Sequence, residues 1–436
     1  MKKPFFSIAI PTYEMHGKGV EFLEFNFRSF YLQSFKDFEV VISDHSANED
    51  IEKLCLNWGN KLKIKYVREK NHIGSSSANI NNAIINCSGE WIKILFQDDF
   101  FYNSKSLEDL YNFINEHSDS KWVASACEHS NDGNTFYRQM FPKWNNSIHY
   151  GNNTISSPSV ITIKNTENKV FFDNDMIWLM DVYFYKKMYD KYGEPDYFNN
   201  INVVNRTWEK RLTNTINQET KQKEFLLVQR RIDCEDFFNK LRLLQFDQNT
   251  LIVRGIVDIN EHLETLRHYS SLSKTVTEFG TRAGISTYAL LIGRPQKVIS
   301  YDINHSFFKK YEDHVNDFAV KCGTSFFFHE KDVLETEIEE TDLLFIDTLH
   351  TYDQLTKELN RHSNKVKKWI ILHDTKTFGY VEEGYYSNGV VSNLVTKTDK
   401  KGLRPAIEDF LIKNKNWTLK KVYENNNGLT ILERTT

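Results

Sequence analysis

Along the first hundred residues, short β-branched and aromatic runs alternate with stretches of helical period. FSIAIPTY (6–13) predicts a strand ending at a turn, and FEVVISDHS (38–46) a second, buried strand. KLKIKYVRE (61–69) predicts a third strand with apolar and basic residues alternating, and EWIKILFQDD (90–99) a fourth that closes in carboxylates. Between them, VEFLEFNFRSFYLQS (20–34), which carries Phe22, Phe25, Phe27 and Phe30, and SSSANINNAIINC (75–87) predict helices. This alternation implies a parallel sheet with helices on its faces. Ligands of such sheets sit beyond the carboxyl ends of the strands. Polar residues fall at those ends: Thr12, Glu14, Asp44, Asn71, Asp98 and Asp99.

Periodicity weakens between residues 125 and 215, where HSNDGN (129–134) and NNTISSPS (152–159) are rich in turn formers. From 216 to 250 charged and apolar residues interleave at helical spacing without Gly or Pro, the pattern of a solvated helix or helical linker. A new strand–turn–helix begins at 275, followed by strands at VISYDI (298–303), SFFFHEKD (325–332), TDLLFIDTLH (341–350) and KWIILHDT (368–375). The strand count restarts, so the expected fold class is α/β in two domains, residues 1–215 and 255–436, joined by a helical linker over 216–254. A length of 436 residues agrees with this, at roughly 150 residues per domain.

Composition narrows the chemistry. With 40% hydrophobic and 26% charged residues the chain is of ordinary globular type. A net charge of −4 gives no global reason to bind nucleic acid. No apolar run reaches the roughly 18 residues of a membrane span. The apolar stretch after Lys2 and Lys3 is cut short by Pro11, too soon for a secretory signal. Five scattered cysteines without a C-x-x-C favour reduced thiols and a cytoplasmic location.

In the N-terminal half, QDD (97–99) offers adjacent carboxylates at a strand end. Oxygen donors of this kind suit Mg²⁺ or Mn²⁺, and such a cation neutralises charge on a departing diphosphate. An acidic pair ahead of a helix, here NSKSLEDL with Ser104 as candidate N-cap, also has a purely structural reading. The succession SIAIPTYE, VVISDHSANED, NHIGSSSANINNAI and GEWIKILFQDD resembles the start of an inverting family-2 glycosyltransferase with a GT-A fold, over residues 1 to about 200. The resemblance implies that Pro11, Thr12, Glu14 and Asp44 contact the nucleotide of a UDP- or other nucleotide-sugar donor. It places the acidic motif on Asp98 and Asp99, with Asp99 the metal ligand and Gln97 replacing the usual first carboxylate. FFDNDMIWLMDVYFYKKMYDKYGEP (171–195) resembles the acceptor-side segment of that family. Asp181 is thereby the candidate general base, with Asp175 as alternative; an ordinary Asp is unprotonated near neutral pH, as a base must be. A helix N-terminus carrying a charge is the structural alternative for Asp181. Trp178 stacks on a sugar or belongs to the core, and Arg206 or Arg211 approaches the diphosphate.

In the C-terminal half, EFGTRAGIS (278–286) is a glycine turn between strand and helix. Gly280 and Gly284 let the backbone approach a ligand, and Glu278 can accept from a cationic or hydroxyl group. The third glycine of the dinucleotide fingerprint and the P-loop lysine are both missing. Asp302, 18 residues after Gly284, is positioned for a ribose hydroxyl pair, and Asp332 is a candidate adenine contact. This succession resembles a class I, Rossmann-like S-adenosylmethionine-dependent methyltransferase. FIDTLHTYDQL (345–355) and WIILHDT (369–375) bring Asp347, His350, His373 and Asp374 to neighbouring strand ends. Their pattern resembles the metal-dependent O-methyltransferases of sugars and small hydroxylated molecules. That likeness implies Asp347 and Asp374 as Mg²⁺ ligands, with Thr375 where catechol-type relatives carry Asn. His350 is the best proton acceptor, since histidine titrates near neutral pH. The ending, helix–strand–turn–strand, suits the antiparallel closing hairpin of that fold.

Together the two resemblances imply a bifunctional transferase of bacterial surface polysaccharide biosynthesis, adding a sugar and O-methylating a sugar hydroxyl. Its cofactors would be S-adenosylmethionine and Mn²⁺ or Mg²⁺. Its partners would be a nucleotide sugar and a glycan or lipid-linked glycan acceptor, with no nucleic acid, at most peripheral contact with the inner membrane face, and a homo-oligomer left open. The alternative is a glycan-binding or scaffold protein with one or both sites inactive.

Overall fold

The computed structural model describes residues 3–70, 72–243, 258–383 and 399–435; Asn71, one of the expected polar tips, lies outside them. The chain divides into two compact units, Met1–Val228 and Gln229–Thr436.

The first unit is built on a nine-stranded mixed sheet. Its strands are β1 (Phe6–Thr12), β2 (Phe38–Asp44), β3 (Ile64–Arg68), β4 (Trp91–Ile94), β5 (Phe100–Phe101), β6 (Trp122–Ser130), β7 (Phe136–Met140), β8 (Ile161–Lys164) and β9 (Asp196–Arg206). The spatial order is β3-β2-β1-β4-β8-β6-β9-β5, with β7 paired to β6. The first four strands are mutually parallel, as the alternation predicted, and β8 adds antiparallel to β4. Helix Gly19–Tyr31 buries Leu23, Phe27 and Phe30 in the core with Ile8, Ile10, Val40 and Ile42, while Phe22 packs on Trp208 and Phe25 remains exposed. Each such ring contributes about 1.5–3 kcal/mol. Helix Ser76–Ile85 starts where the Ser75 hydroxyl accepts the Ala78 N–H at 3.2 Å, an N-cap. The helix after the acidic pair begins at Ser106, and Lys105, not Ser104, stands at its cap.

The second unit holds a seven-stranded sheet: β10 (Thr275–Phe279), β11 (Lys297–Asp302), β12 (Ser325–Glu330), β13 (Thr341–Ile346), β14 (Val366–His373), β15 (Trp417–Tyr423) and β16 (Leu429–Arg434). Its order is β12-β11-β10-β13-β14-β16-β15. The first five strands are parallel, and β16 inserts antiparallel between β14 and β15. Leu343, Phe345 and Ile371 pack into one core, and their neighbours Leu344, Ile346, Ile370 and Leu372 into another. Period-two alternation with both faces buried marks a sheet covered by helices on both sides.

Of the segment expected as a solvated linker, 216–254, residues 244–254 lie outside the described residues, and the rest is mainly one helix, Gln218–Arg242. It is not solvated on all sides: Glu224 is buried in the first unit, and Cys234, Phe238 and Leu241 enter the core of the second. The five cysteines are buried free thiols. Among the described residues no helix is long and apolar enough to cross a membrane.

Candidate functional site

The strand tips of the first unit surround a cavity of about 680 Å³, lined among others by Pro11, Glu14, Asp98, Asp99, Trp178 and Asp181. Asp98 and Asp99 stand in the turn between β4 and β5. The Asp99 carboxylate accepts the Arg206 N–H at 2.9 Å and the Ser157 hydroxyl at 3.1 Å, while Asp98 accepts the Trp208 indole N–H at 3.1 Å. Burial and the adjacent Asp99 push Asp98 up to about 7, and burial raises Asp99 as well. Among the described residues neither acid has a cationic side chain in ion-pair contact. Two neighbouring acids with raised proton affinity fit a divalent cation, which would hold both ionised.

Asp181 sits in the first turn of helix Met180–Tyr192. Its carboxylate accepts the Val182 N–H at 2.7 Å and the Asn153 side-chain N–H at 2.9 Å. Burial outweighs these bonds and pushes it up to about 6. A carboxylate of that basicity is largely ionised at neutral pH and is a stronger base than a free Asp.

Other expected residues have different surroundings. Thr12 and Asp44 are paired across β1 and β2 and do not line the cavity. Asp44 accepts from the Thr12 hydroxyl (3.2 Å), the Ser46 N–H (2.9 Å) and the Tyr66 hydroxyl (2.7 Å), so it braces three strand ends. Glu14 lines the cavity and accepts the Ala47 N–H. Gln97, in the place expected for a carboxylate, is buried with its carbonyl accepting the Tyr13 N–H (3.0 Å) and its amide donating to the Gly19 carbonyl (2.8 Å). An ionised acid cannot donate, so the position calls for an amide. Arg206 turns away from the cavity: its guanidinium lies 4.8, 5.5 and 5.1 Å from the ring centres of Phe22, Phe25 and Phe100 and donates to the Asp98 carbonyl. Arg211, with Lys210 and Arg138, lines the cavity instead. Trp178 also lines it, with the Lys221 ammonium 5.4 Å from its ring centre.

Two residues escaped the sequence reading. Lys93, in the middle of the apolar run WIKILF, is fully buried and donates to the Ser159 carbonyl at 2.6 Å; burial pushes it down to about 7. It anchors the loop from which Ser157 reaches Asp99. Glu224 accepts three successive backbone N–H groups, from Ile177, Trp178 and Leu179, each at 2.8 Å. A lone acid in an apparently solvated helix gave no signal of this.

In the second unit, one ligand atom from each of Asp347, His373 and Asp374 lies within 4.8 Å of the others. The Asp374 Oδ1 is buried without a hydrogen-bond partner, and Asp374 itself has φ +58°, a strained conformation for a residue other than Gly. The His373 Nε2 lies 3.3 Å from the Asn426 carbonyl, which leaves Nδ1 for the cluster. Two carboxylates, an imidazole and one orphaned oxygen fit a hard or borderline divalent cation. The residue after Asp374, Thr375, is buried and its hydroxyl accepts the Thr430 hydroxyl at 2.8 Å, outside the Asp347–His373–Asp374 group.

His350 does not stand as a free proton acceptor here. Its Nε2 lies 3.2 Å from Asp347 and 3.1 Å from Asp374, and its Nδ1 3.0 Å from Glu383. Burial opposes its charge, but the bonds to Asp347 and Glu383 outweigh burial and push it up to about 10. The ring bridges the three carboxylates, an arrangement that favours its protonated form.

The glycine turn is close-packed. At Gly280 (φ +86°) an added Cβ would come within 1.9 Å of the Asp347 carbonyl oxygen, so glycine is needed where β10 passes β13. Gly284 (φ +77°) precedes helix Ile285–Ile292. Glu278 is turned inward, accepting from the Ser286, Thr287 and Ser300 hydroxyls, and burial pushes it up to about 7. It is therefore a buried brace, not an open acceptor for a ligand. Asp302 accepts the Thr281 (3.0 Å), Arg282 (2.8 Å) and Asn304 (3.0 Å) N–H groups, so it ties the turn to β11. Asp332 is exposed and accepts the Leu334 N–H at 2.8 Å. A cavity of about 10 Å³ lies beside Thr348, His350, Glu358 and His373, and neither it nor the large cavity is lined by Gly280, Asp302 or Asp332.

Residues 7–188 match the family described as glycosyl transferase family 2. An uncharacterized glycosyltransferase of Rickettsia conorii is 30% identical over 112 residues, 26% of this chain and 17% of that protein. The GalNAc(5)-diNAcBac-PP-undecaprenol beta-1,3-glucosyltransferase of Campylobacter jejuni is 30% identical over 97 residues, 22% of this chain and 30% of that protein. The matched segments thus span less than a third of these relatives. The crystal structure of S. aureus TarS 1-349 in complex with UDP-GlcNAc aligns with TM-score 0.41 and 17% identity, over 62% of this chain and 85% of that one. The likeness to glycosyl transferase family 2 thus covers residues 7–188, less than half of the 436 residues of the chain.

Proposed function

We propose that the first unit transfers a sugar, with inversion, from a nucleotide-sugar donor to a glycan acceptor in polysaccharide biosynthesis, and that the second O-methylates a sugar hydroxyl with S-adenosylmethionine. The observation that carries the first half is the shared cavity: Asp98 and Asp99 line it together with Asp181. In the reaction Asp181 takes the proton of the attacking acceptor hydroxyl as that oxygen bonds the anomeric carbon and the nucleoside diphosphate leaves. Asp98 and Asp99 would hold a Mn²⁺ or Mg²⁺ ion, which supplies charge neutralisation at the diphosphate. Arg211 and Lys210 add fixed positive charge to the same wall. By their names, one relative glucosylates GalNAc(5)-diNAcBac-PP-undecaprenol and another, S. aureus TarS, adds N-acetylglucosamine to poly(ribitol-phosphate), which supports a lipid-linked or polymeric acceptor.

For the second half, support comes from the order of the seven strands with antiparallel β16 inserted, and from the Asp347–His373–Asp374 cluster at the carboxyl ends of β13 and β14. These three residues would hold a divalent cation, which acidifies a bound hydroxyl. The methyl donor supplies an electrophilic methyl group. With a cation held there, His350, next to both acids, would be neutral and would accept the proton of the substrate hydroxyl as its oxygen bonds the methyl carbon and S-adenosylhomocysteine leaves.

One observation favours a second reading, a binding domain without methyl transfer. The Asp302 carboxylate already accepts three of the chain's own backbone N–H groups, out of about four acceptor positions, which leaves little for a ribose hydroxyl pair. Purified protein incubated with a panel of nucleotide sugars, glycan acceptors, Mn²⁺ and labelled S-adenosylmethionine decides between them. A product heavier by one sugar and one methyl group is expected. A product with the sugar alone leaves the second unit a binding domain, and no product across suitable acceptors overturns the enzymatic reading.

A further inference from the structure

We propose that Glu224 is a positioning residue for sugar transfer: its carboxylate sets the wall segment that delivers Asp181 and Trp178 to the cavity. The inference rests on the sugar-transfer reading of that cavity. The segment Ile177–Val182 contributes six consecutive residues to the cavity lining. Helix Met180–Tyr192 begins within it, and the residues before a helix leave backbone N–H groups that need acceptors. No side chain at the N-cap position, Leu179, serves. Glu224 supplies the acceptor from another helix. One oxygen takes the Ile177 N–H and the other takes those of Trp178 and Leu179, all at 2.8 Å, and the side chain is 5% exposed.

Three charge-assisted bonds to consecutive amides fix both the path and the pitch of this segment. The two residues after Leu179 are Met180 and Asp181, so the direction of the Asp181 carboxylate depends on where that first turn is held. Asn153 and the Val182 N–H then orient the carboxylate itself. Glu224 is also close enough for its negative charge to add to the basicity of Asp181. The donor side of the cavity, Pro11, Tyr13 and Glu14, comes from other elements and does not depend on Glu224.

Glu224→Gln keeps the shape of the side chain but replaces one acceptor oxygen by a donor, leaving part of the amide triplet unmatched. The expected result is a fall in kcat for sugar transfer of about 10-fold to 100-fold, the scale on which a displacement of about 1 Å acts, with KM for the nucleotide sugar and affinity for UDP with Mn²⁺ within about 2-fold of wild type. Glu224→Asp, which retains the charge with a shorter reach, is expected to recover part of the lost kcat. Unchanged kcat in Glu224→Gln overturns the inference, as does loss of UDP binding in parallel with kcat in both variants, which would mark a general support of the fold. Absence of transfer by the wild-type chain overturns the parent reading instead, so the two failures are distinct.

Discussion

The His350 Nε2 lies 3.1 Å from the Asp374 Oδ2 and 3.2 Å from the Asp347 Oδ1, so the ring bridges the two carboxylates and favours its own protonated form. A proton thus does in this arrangement part of what a cation would do. Cation binding must displace it, and affinity of the second unit for Mg²⁺ or Mn²⁺ is expected to rise between pH 6 and pH 9, with proton release. Calorimetry in buffers of different ionisation enthalpy measures both; a pH-independent affinity would contradict the arrangement.

The same proton has a sign in stability. His350 is raised from 6.5 to about 10 in the folded chain, so its contribution is complete below pH 6.5 and is lost as pH rises through about 10. In chelator-treated protein the gap in melting temperature between wild type and His350→Gln should narrow across that window. A gap that widens with pH would refute the bridging imidazolium.

Asp181 is expected to govern the acid side of sugar transfer. With its carboxyl at about 6, kcat should fall tenfold per pH unit well below that value, as the base becomes protonated. Asp181→Asn should lower transfer by about 10²- to 10⁴-fold while leaving methylation of a preformed glycan intact. Loss of both activities would contradict separate sites.

Gln97 offers a test of the acidic turn. Gln97→Glu removes the donor to the Gly19 carbonyl and is expected to cost about 1–3 kcal/mol of stability, the cost of a buried unpaired group, without tightening Mn²⁺ binding. Denaturant unfolding and metal titration of the variant read the two effects. Tighter binding at unchanged stability would return the position to the metal site.

The two arginines separate in the same way. Arg206→Lys should destabilise the first unit by about 1–3 kcal/mol, since the guanidinium lies against three rings and donates to the Asp98 carbonyl. Arg211→Ala should instead weaken UDP binding, with little change in melting temperature. Competition binding and thermal melts distinguish them; weakened binding only in Arg206→Lys would reverse the assignment.

The periodicity of the chain by itself determined the parallel strands of the two sheets, β1 to β4 and β10 to β14, the turn that carries Asp98 and Asp99, and the strand ends that carry Asp347 and Asp374. Those features follow from local rules: apolar runs of strand length, polar residues at their carboxyl ends, and turn formers between. Tertiary structure decided what each polar group faces. Asp44, Glu278 and Arg206 are as polar in sequence as Asp181, yet the fold spends them on neighbouring strands, hydroxyls and rings, because a buried charge or hydrogen-bonding group must find partners. Glu224 and Lys93 acquired their places through partners 45 to 66 residues away in sequence. No local pattern encodes that proximity; only the packing of the elements creates it.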